Sequence, residues 1–173
     1  MDLRDSIRNV PDFPKKGIVF RDITTLLGDP RALAGALDAL SREWESCQVA
    51  KVVGIESRGF ILGGALAARI GAGFVPARKP GKLPARVLRE EYALEYGTDA
   101  VEVHVDGIAA GDRVLMHDDL LATGGTMAAA CRLVQALGGT IVGVSFIIEL
   151  SFLQGRNRLP GLDVRSLITY DQE

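Results

Sequence analysis

Arg113-Val-Leu-Met-His-Asp118 is an apolar run of strand character, and Asp119-Leu-Leu-Ala122-Thr123-Gly124-Gly125-Thr126 carries it into a helical segment with Met127, Ala130, Cys131, Val134 and Leu137 on one face, closed by Gly138-Gly139. The spacing predicts a strand over 113–118, a loop over 119–125 and an amphipathic helix after it. Strand, small-residue loop and helix make half of a βαβ unit. In open parallel sheets such loops lie outside the carboxyl ends of the strands, where ligands bind.

The residue types in the loop state a chemistry. Gly124 and Gly125 let the backbone curl and bring amide N–H groups together, Thr123 and Thr126 add hydroxyl donors beside the small Ala122, and the helix that follows presents the positive end of its dipole. That combination suits a phosphate monoester. Asp118 and Asp119 repel a phosphate but accept hydrogen bonds from sugar hydroxyls and suit a divalent cation or a developing positive charge. Phosphate, hydroxyls and cation together describe a phosphorylated ribose. A bare Gly-Gly turn would be no more than a strand-to-helix connection with acids as caps; the ordered set of two acids, Thr-Gly-Gly-Thr and a helix start favours a ligand.

Outward from this segment the same alternation repeats. Lys51-Val-Val-Gly-Ile55, Gly73 to Ala77, Thr140 to Ile148 and Val164 to Tyr170 read as apolar strands, and Arg58 to Ile70 as a helix with Gly63, Gly64, Ala65, Ala67 and Ala68, small enough to lie close on a sheet. Asp29-Pro30 supplies a cap and a first-turn proline for a helix with Leu33, Leu37, Leu40 and Trp44 on one face. Val10 to Ile23 carries Pro11 and Pro14 and cannot be a regular helix, so residues 1–28 form an ordered arm. Val87 to Val105 alternates as a hairpin or an excursion. The expected fold is α/β: a mainly parallel twisted sheet flanked by helices on both faces, in one domain over 1–173.

The chain has 173 residues, 47% hydrophobic and 24% charged, with 20 Lys+Arg against 22 Asp+Glu for a net charge of -2. That apolar fraction excludes disorder, and the near-balance of charge argues against a protein that coats nucleic acid or an anionic membrane. Cys47 and Cys131 stand at no metal-ligand spacing and read as packing residues of a reduced cytoplasmic protein. No segment reads as a signal peptide or membrane span. Arg78, Lys79, Lys82, Arg86 and Arg89 are followed by Glu90, Glu91, Glu95, Asp99, Glu102 and Asp106. Charge runs of this kind are usually solvated faces, yet Lys79-Pro-Gly-Lys82-Leu-Pro84 is stiffened by proline and loosened by glycine, as a lid over 79–97 would need.

Asp118-Asp119-Leu-Leu-Ala-Thr-Gly-Gly-Thr126 resembles the signature with which type I phosphoribosyltransferases bind 5-phosphoribosyl-1-pyrophosphate (PRPP), in the version of the adenine phosphoribosyltransferase family. Pro11-Asp-Phe-Pro14, Gly17-Ile-Val-Phe-Arg-Asp-Ile-Thr24, Glu56-Ser-Arg-Gly-Phe60, Arg78-Lys-Pro-Gly-Lys-Leu-Pro84 and Leu94-Glu-Tyr-Gly97 extend the resemblance over nearly the whole chain. It implies the type I phosphoribosyltransferase fold and the reaction of adenine with PRPP to give AMP and pyrophosphate in purine salvage. It also implies a homodimer and Mg²⁺ held mainly through PRPP rather than by a metal site of the protein.

The resemblance assigns roles residue by residue. Ala122, Thr123, Gly124, Gly125 and Thr126 bind the phosphate; Arg58, Arg78, Lys79 and Lys82 meet the pyrophosphate, partly across the dimer interface. Val19, Phe20 and Arg21 form a hood over adenine, and Leu150 lines the base pocket. Asp118 and Asp119 face the ribose as its anomeric carbon turns oxocarbenium-like, Glu95 accepts or relays the proton adenine loses, and Tyr96 closes beside it. His117 departs from the pattern, since an aliphatic residue commonly precedes the acid pair; a buried structural role is expected for it, and His104 has no evident partner. Two other functions stay open: a related transferase for xanthine, guanine or orotate, or a PRPP-sensing regulator without chemistry, against which the segment before Asp29 is too short for a winged helix.

Overall fold

The computed structural model describes residues 2–93 and 97–172. Five strands make one fully parallel sheet: β3 (Lys51–Ile55), β4 (Gly73–Ala77), β7 (Arg113–Leu121), β8 (Thr140–Leu150) and β9 (Val164–Tyr170), in the order β4-β3-β7-β8-β9. Helix α2 (Pro30–Trp44) and α3 (Gly59–Ile70) cover one face, and α4 (Gly125–Ala136) covers the other. Both faces are buried, so the strands are apolar throughout: Val52, Leu115 and Ile147 belong to one core cluster, Val53, Met116 and Phe146 to the other.

Local chemistry explains the helices. Asp29 Oδ1 accepts from the amides of Arg31 and Ala32 at 2.8 and 2.9 Å and Pro30 opens α2, as the sequence predicts. The buried face of α2 is Ala32, Ala36, Leu40 and Trp44, with Leu33 and Leu37 only partly buried at its margin. Trp44 is fully buried flat against Gly143 of β8, where a Cβ would stand 2.2 Å from its ring, and Arg165 stacks on it at 4.2 Å. Gly71, at φ 74°, ends α3 in the left-handed conformation that glycine alone adopts without cost.

Two antiparallel hairpins stand outside the sheet. The arm contains β1 (Arg8–Pro11) paired with β2 (Val19–Asp22), followed by the short helix α1 (Thr24–Gly28). β5 (Val87–Ala93) pairs with β6 (Thr98–His104), and this hairpin is anchored, not loose: Tyr92, Val101 and Val103 enter the core under α4, and Arg78 bridges Glu102. His104 gains a partner, accepting from the Ala85 amide at Nε2 over 3.3 Å.

One boundary differs from the sequence reading. The strand expected to end at Asp118 runs to Leu121, because the ladder to β8 continues through Asp118↔Phe146, Leu120↔Ile148 and Leu121↔Glu149. Asp119, read as the first loop residue, is therefore a strand residue like Asp118.

Candidate active site

At the carboxyl edge of the sheet, residues 122–124 connect β7 to α4. Gly124 takes φ 79° and offers no capping side chain, so the first amides of α4 remain for a ligand. Ala122, Thr123, Gly124, Gly125 and Thr126 line a recess of about 100 Å³ together with Asp118, Leu120, Leu121, Met127 and Phe146. The residues read from sequence as a cradle line a concave surface with one of the acids in its wall.

The two acids are unequal. Asp119 is buried and its Oδ2 forms an ion pair with Arg58, 2.9 Å from Nε. Asp118 accepts the Asp119 amide at 2.9 Å and lies beneath Gly59, where a Cβ would come within 2.8 Å of its Oδ1. Burial, reinforced by the neighbouring Asp119 charge, raises Asp118 well above the ordinary carboxylate range. Burial also raises Asp119, but Arg58 opposes the shift. Both carboxyls are pushed toward their protonated forms, Asp118 without a cation against it and Asp119 with Arg58 opposing the shift.

Arg58 also joins this edge to the arm. Its guanidinium lies 5.1 Å from the Phe20 ring, which Phe13 meets edge-on at 5.2 Å. Arg21 turns away, stacking on Tyr170 at 4.0 Å and bonding Asn9 Oδ1 at 2.7 Å. Tyr170 is the register partner of Leu150, so Val19, Phe20, Arg21 and Leu150 come to one end of the sheet. Because β2 pairs only with β1 in its sheet, alternate residues direct N–H and C=O groups away from β1.

The basic residues are less convergent. Arg78 makes a fork to Glu56 at 3.1 and 3.0 Å, and Glu56 also accepts the Lys79 amide at 2.9 Å; the Arg78 bond leads the effects that hold Glu56 below its usual range. Lys79 turns into the β5–β6 hairpin, where Nζ donates to Tyr92 Oη at 2.9 Å and pairs with Asp99. The Lys82 side chain points into solvent while its carbonyl accepts from Arg78 at 3.1 Å. Glu95 and Tyr96 lie outside the described residues.

Comparison with known proteins gives this edge its relatives. Residues 27–158 match the phosphoribosyl transferase domain family. The adenine phosphoribosyltransferase of Gloeobacter violaceus is 58% identical over 171 residues, 98% of this chain and 100% of that protein. The chain belongs to the adenine phosphoribosyltransferase family. Among solved structures of that family, the Thermoanaerobacter pseudethanolicus protein superposes with a TM-score of 0.94 at 49% identity, covering 97% of this chain and 98% of that one. The Saccharomyces cerevisiae enzyme, complexed with adenine and an imino-altritol bisphosphate, has a TM-score of 0.92 at 38% identity, covering 95% and 96%.

Within the adenine phosphoribosyltransferase family pattern, His117 is the departure, and it is fully buried. Neither ring nitrogen has a hydrogen-bond partner among the described residues, and Gly63 of α3 packs against the ring. Desolvation lowers its pKa to about 4, so the ring is neutral. Sequence reasoning missed Glu56 as the partner of Arg78 and Gly59 as the cover of Asp118, although both stand in the Glu56–Phe60 stretch.

Proposed function

We propose that this chain transfers the 5-phosphoribosyl group of PRPP to adenine, giving AMP and pyrophosphate. The observation that carries the reading is the acid pair of β7 set against the amide-lined recess of 122–126, with Arg58 between the acids and the arm. The phosphate of PRPP sits on the 122–126 amides, and Asp118 and Asp119 take the ribose hydroxyls. Asp118, shifted toward its protonated form, can both donate to and accept from the ribose; Asp119 becomes available as Arg58 turns to the pyrophosphate. Exchange of the Arg58 partner thus couples arrival of the polyanion to release of a carboxylate beside the sugar.

In the reaction an adenine ring nitrogen bonds to the anomeric carbon as the bond from that carbon to pyrophosphate breaks. The leaving oxygen carries the electron pair away, and the purine N–H proton passes to Glu95 or through it. Arg58, Arg78, Lys79 and Lys82 would neutralise the departing group, which requires Lys79 to exchange Asp99 for phosphate oxygens. Tyr96 stands beside Glu95 in the lid region 79–97, of which the paired strand β5 is anchored and only the flanking segments would close. Val19, Phe20 and Arg21, with Leu150, hold the base: Phe20 offers a ring face and β2 offers outward backbone groups to the purine edge. Residues 1–28 act as the hood of a single domain spanning 1–173.

Mg²⁺ suits this donor set. Among the described residues no three His, Cys, Asp or Glu gather as a cage, whereas magnesium typically uses one or two carboxylates with substrate phosphates and retained water. It would be held mainly through the oxygens of PRPP, and when bound it would supply charge neutralisation to the leaving group. We place the protein in the cytoplasm as a homodimer: both cysteines are free, as in a reducing compartment, and Ile61 stands half-exposed on α3. No described helix is long and apolar enough to cross a membrane.

Purified protein incubated with PRPP, Mg²⁺ and radiolabelled bases tests the reading. AMP formed from adenine is the expected result. Turnover of guanine, xanthine or orotate instead would replace the base assignment, and PRPP binding without consumption of any base would replace catalysis by sensing.

A further inference from the structure

The phosphate loop has little of its own to keep it in shape. Its residues are short and Gly124 is held at φ 79°, a conformation open to a glycine but reached equally by many loop arrangements. Yet it rests on a second piece of backbone. A Cβ on Gly124 would lie 2.5 Å from the Gly155 carbonyl oxygen, and one on Gly155 would lie 2.3 Å from the Ala122 carbonyl oxygen and 2.8 Å from Leu121 Cδ1. Two chain segments therefore touch main chain to main chain, with glycine required on both sides.

The supporting segment is itself fastened. Gly155 opens a 3-10 turn, Gly155–Arg158, and Arg156 grips Glu149 with Nε and Nη2, each at 2.6 Å. Arg156 Nη1 donates to the Val164 carbonyl at 2.8 Å, and Ser166 Oγ donates to Glu149 Oε2 at 2.8 Å. Glu149 is buried on β8, directly across the ladder from Leu121, the residue that precedes the loop. A fork-to-fork Arg–carboxylate pair is the geometry that fixes direction as well as distance.

We propose that Gly155, Arg156 and Glu149 are positioning residues for the phosphate of PRPP: the ion pair clamps the 154–158 segment to the ends of β8 and β9, and Gly155 sets the position of the 122–124 backbone. This rests on reading 122–126 as the phosphate cradle. The group they serve is a phosphate monoester, and the base is held elsewhere, by the arm. Displacing the Ala122 carbonyl by the width of a methyl group misaims the amides that follow it, and positional errors near 1 Å cost roughly a hundredfold where geometry matters.

Calorimetric titration of the full chain with ribose 5-phosphate, and separately with adenine, tests the assignment. Gly155→Ala, acceptable to a backbone with ordinary φ, should weaken ribose 5-phosphate binding roughly 10- to 100-fold and raise the KM for PRPP correspondingly, with adenine affinity unchanged. Arg156→Ala should weaken it about tenfold, and Arg156→Lys, which keeps charge but not the fork, should recover only part. Arg156→Lys keeps a cation beside the buried Glu149 and a half-exposed side chain, so this variant carries the test even where Gly155→Ala does not fold. Unchanged ribose 5-phosphate affinity in the Arg156 variants, or equal losses for ribose 5-phosphate and adenine, would overturn the proposal. Failure of the unaltered protein to bind ribose 5-phosphate would overturn the phosphate-cradle reading beneath it.

Discussion

Asp118 and His117 are adjacent on β7 and burial moves each toward its neutral form, with opposite consequences for stability against pH. His117 has a folded pKa of about 4 against an ordinary 6.5, so the unfolded chain binds a proton that the folded one refuses. Its contribution is intact above pH 6.5 and is lost as the pH falls through about 4, an effect of about 3 kcal/mol at 1.36 kcal/mol per unit. Asp118 is raised, so its folded form keeps a proton that the unfolded chain releases above its ordinary 3.8, and its contribution is lost as the pH rises. Replacing His117 by Leu should leave a protein whose melting temperature no longer drops between pH 6.5 and 4.5 as that of the parent does. Replacing Asp118 by Asn removes the penalty for ionising a buried acid while the amide oxygen still accepts the Asp119 N–H. The melting temperature at pH 8 should then be no lower than the parent's while turnover falls roughly 10²–10³-fold. A large loss of stability at pH 8 would show that the Asp118 charge supports the fold. The acids themselves are legible in sequence; their inequality is not, because it comes from Gly59 lying over one and Arg58 beside the other.

At the scale of elements, packing against glycine explains why some changes should be costly far from the ligand. Trp44 closes α2 by packing on Gly143, where any Cβ would fall 2.2 Å from the indole, and Arg165 stacks on the same ring at 4.2 Å. Gly143→Ala should therefore lower the unfolding free energy in urea by about 2–3 kcal/mol through overpacking, with kcat per folded molecule unchanged. Asp29→Ala removes a cap that satisfies two amides and should cost about 1 kcal/mol by the same measurement. The 3.6-residue spacing and the Asp-Pro start made α2 readable, as the apolar runs made the central strands readable. The β1–β2 hairpin was not, since strands of four residues containing Pro11 carry no period to detect. The 155–158 turn was not either, because Glu149 and Arg156 are joined only through the fold.

For the molecule as a whole, the two halves of the proposed ligand site rest on different supports. The arm reaches the sheet through Arg58 under Phe20, and through Arg4 and Arg21 on Tyr170; the phosphate loop rests on the 154–158 segment. A ligand that spans both should stabilise both, whereas one that fills only the phosphate recess should leave the arm as it was. AMP at about 100 times its Kd should add about 2.7 kcal/mol, which for a chain of this size corresponds to a rise in melting temperature of roughly 5–10 °C. Hydrogen exchange should slow at amides of both 8–22 and 122–126 in AMP, but only at 122–126 in ribose 5-phosphate. Protection of the arm by ribose 5-phosphate alone would mean that the two supports move as one body. No protection of the arm by AMP would remove Val19, Phe20 and Arg21 from the base pocket.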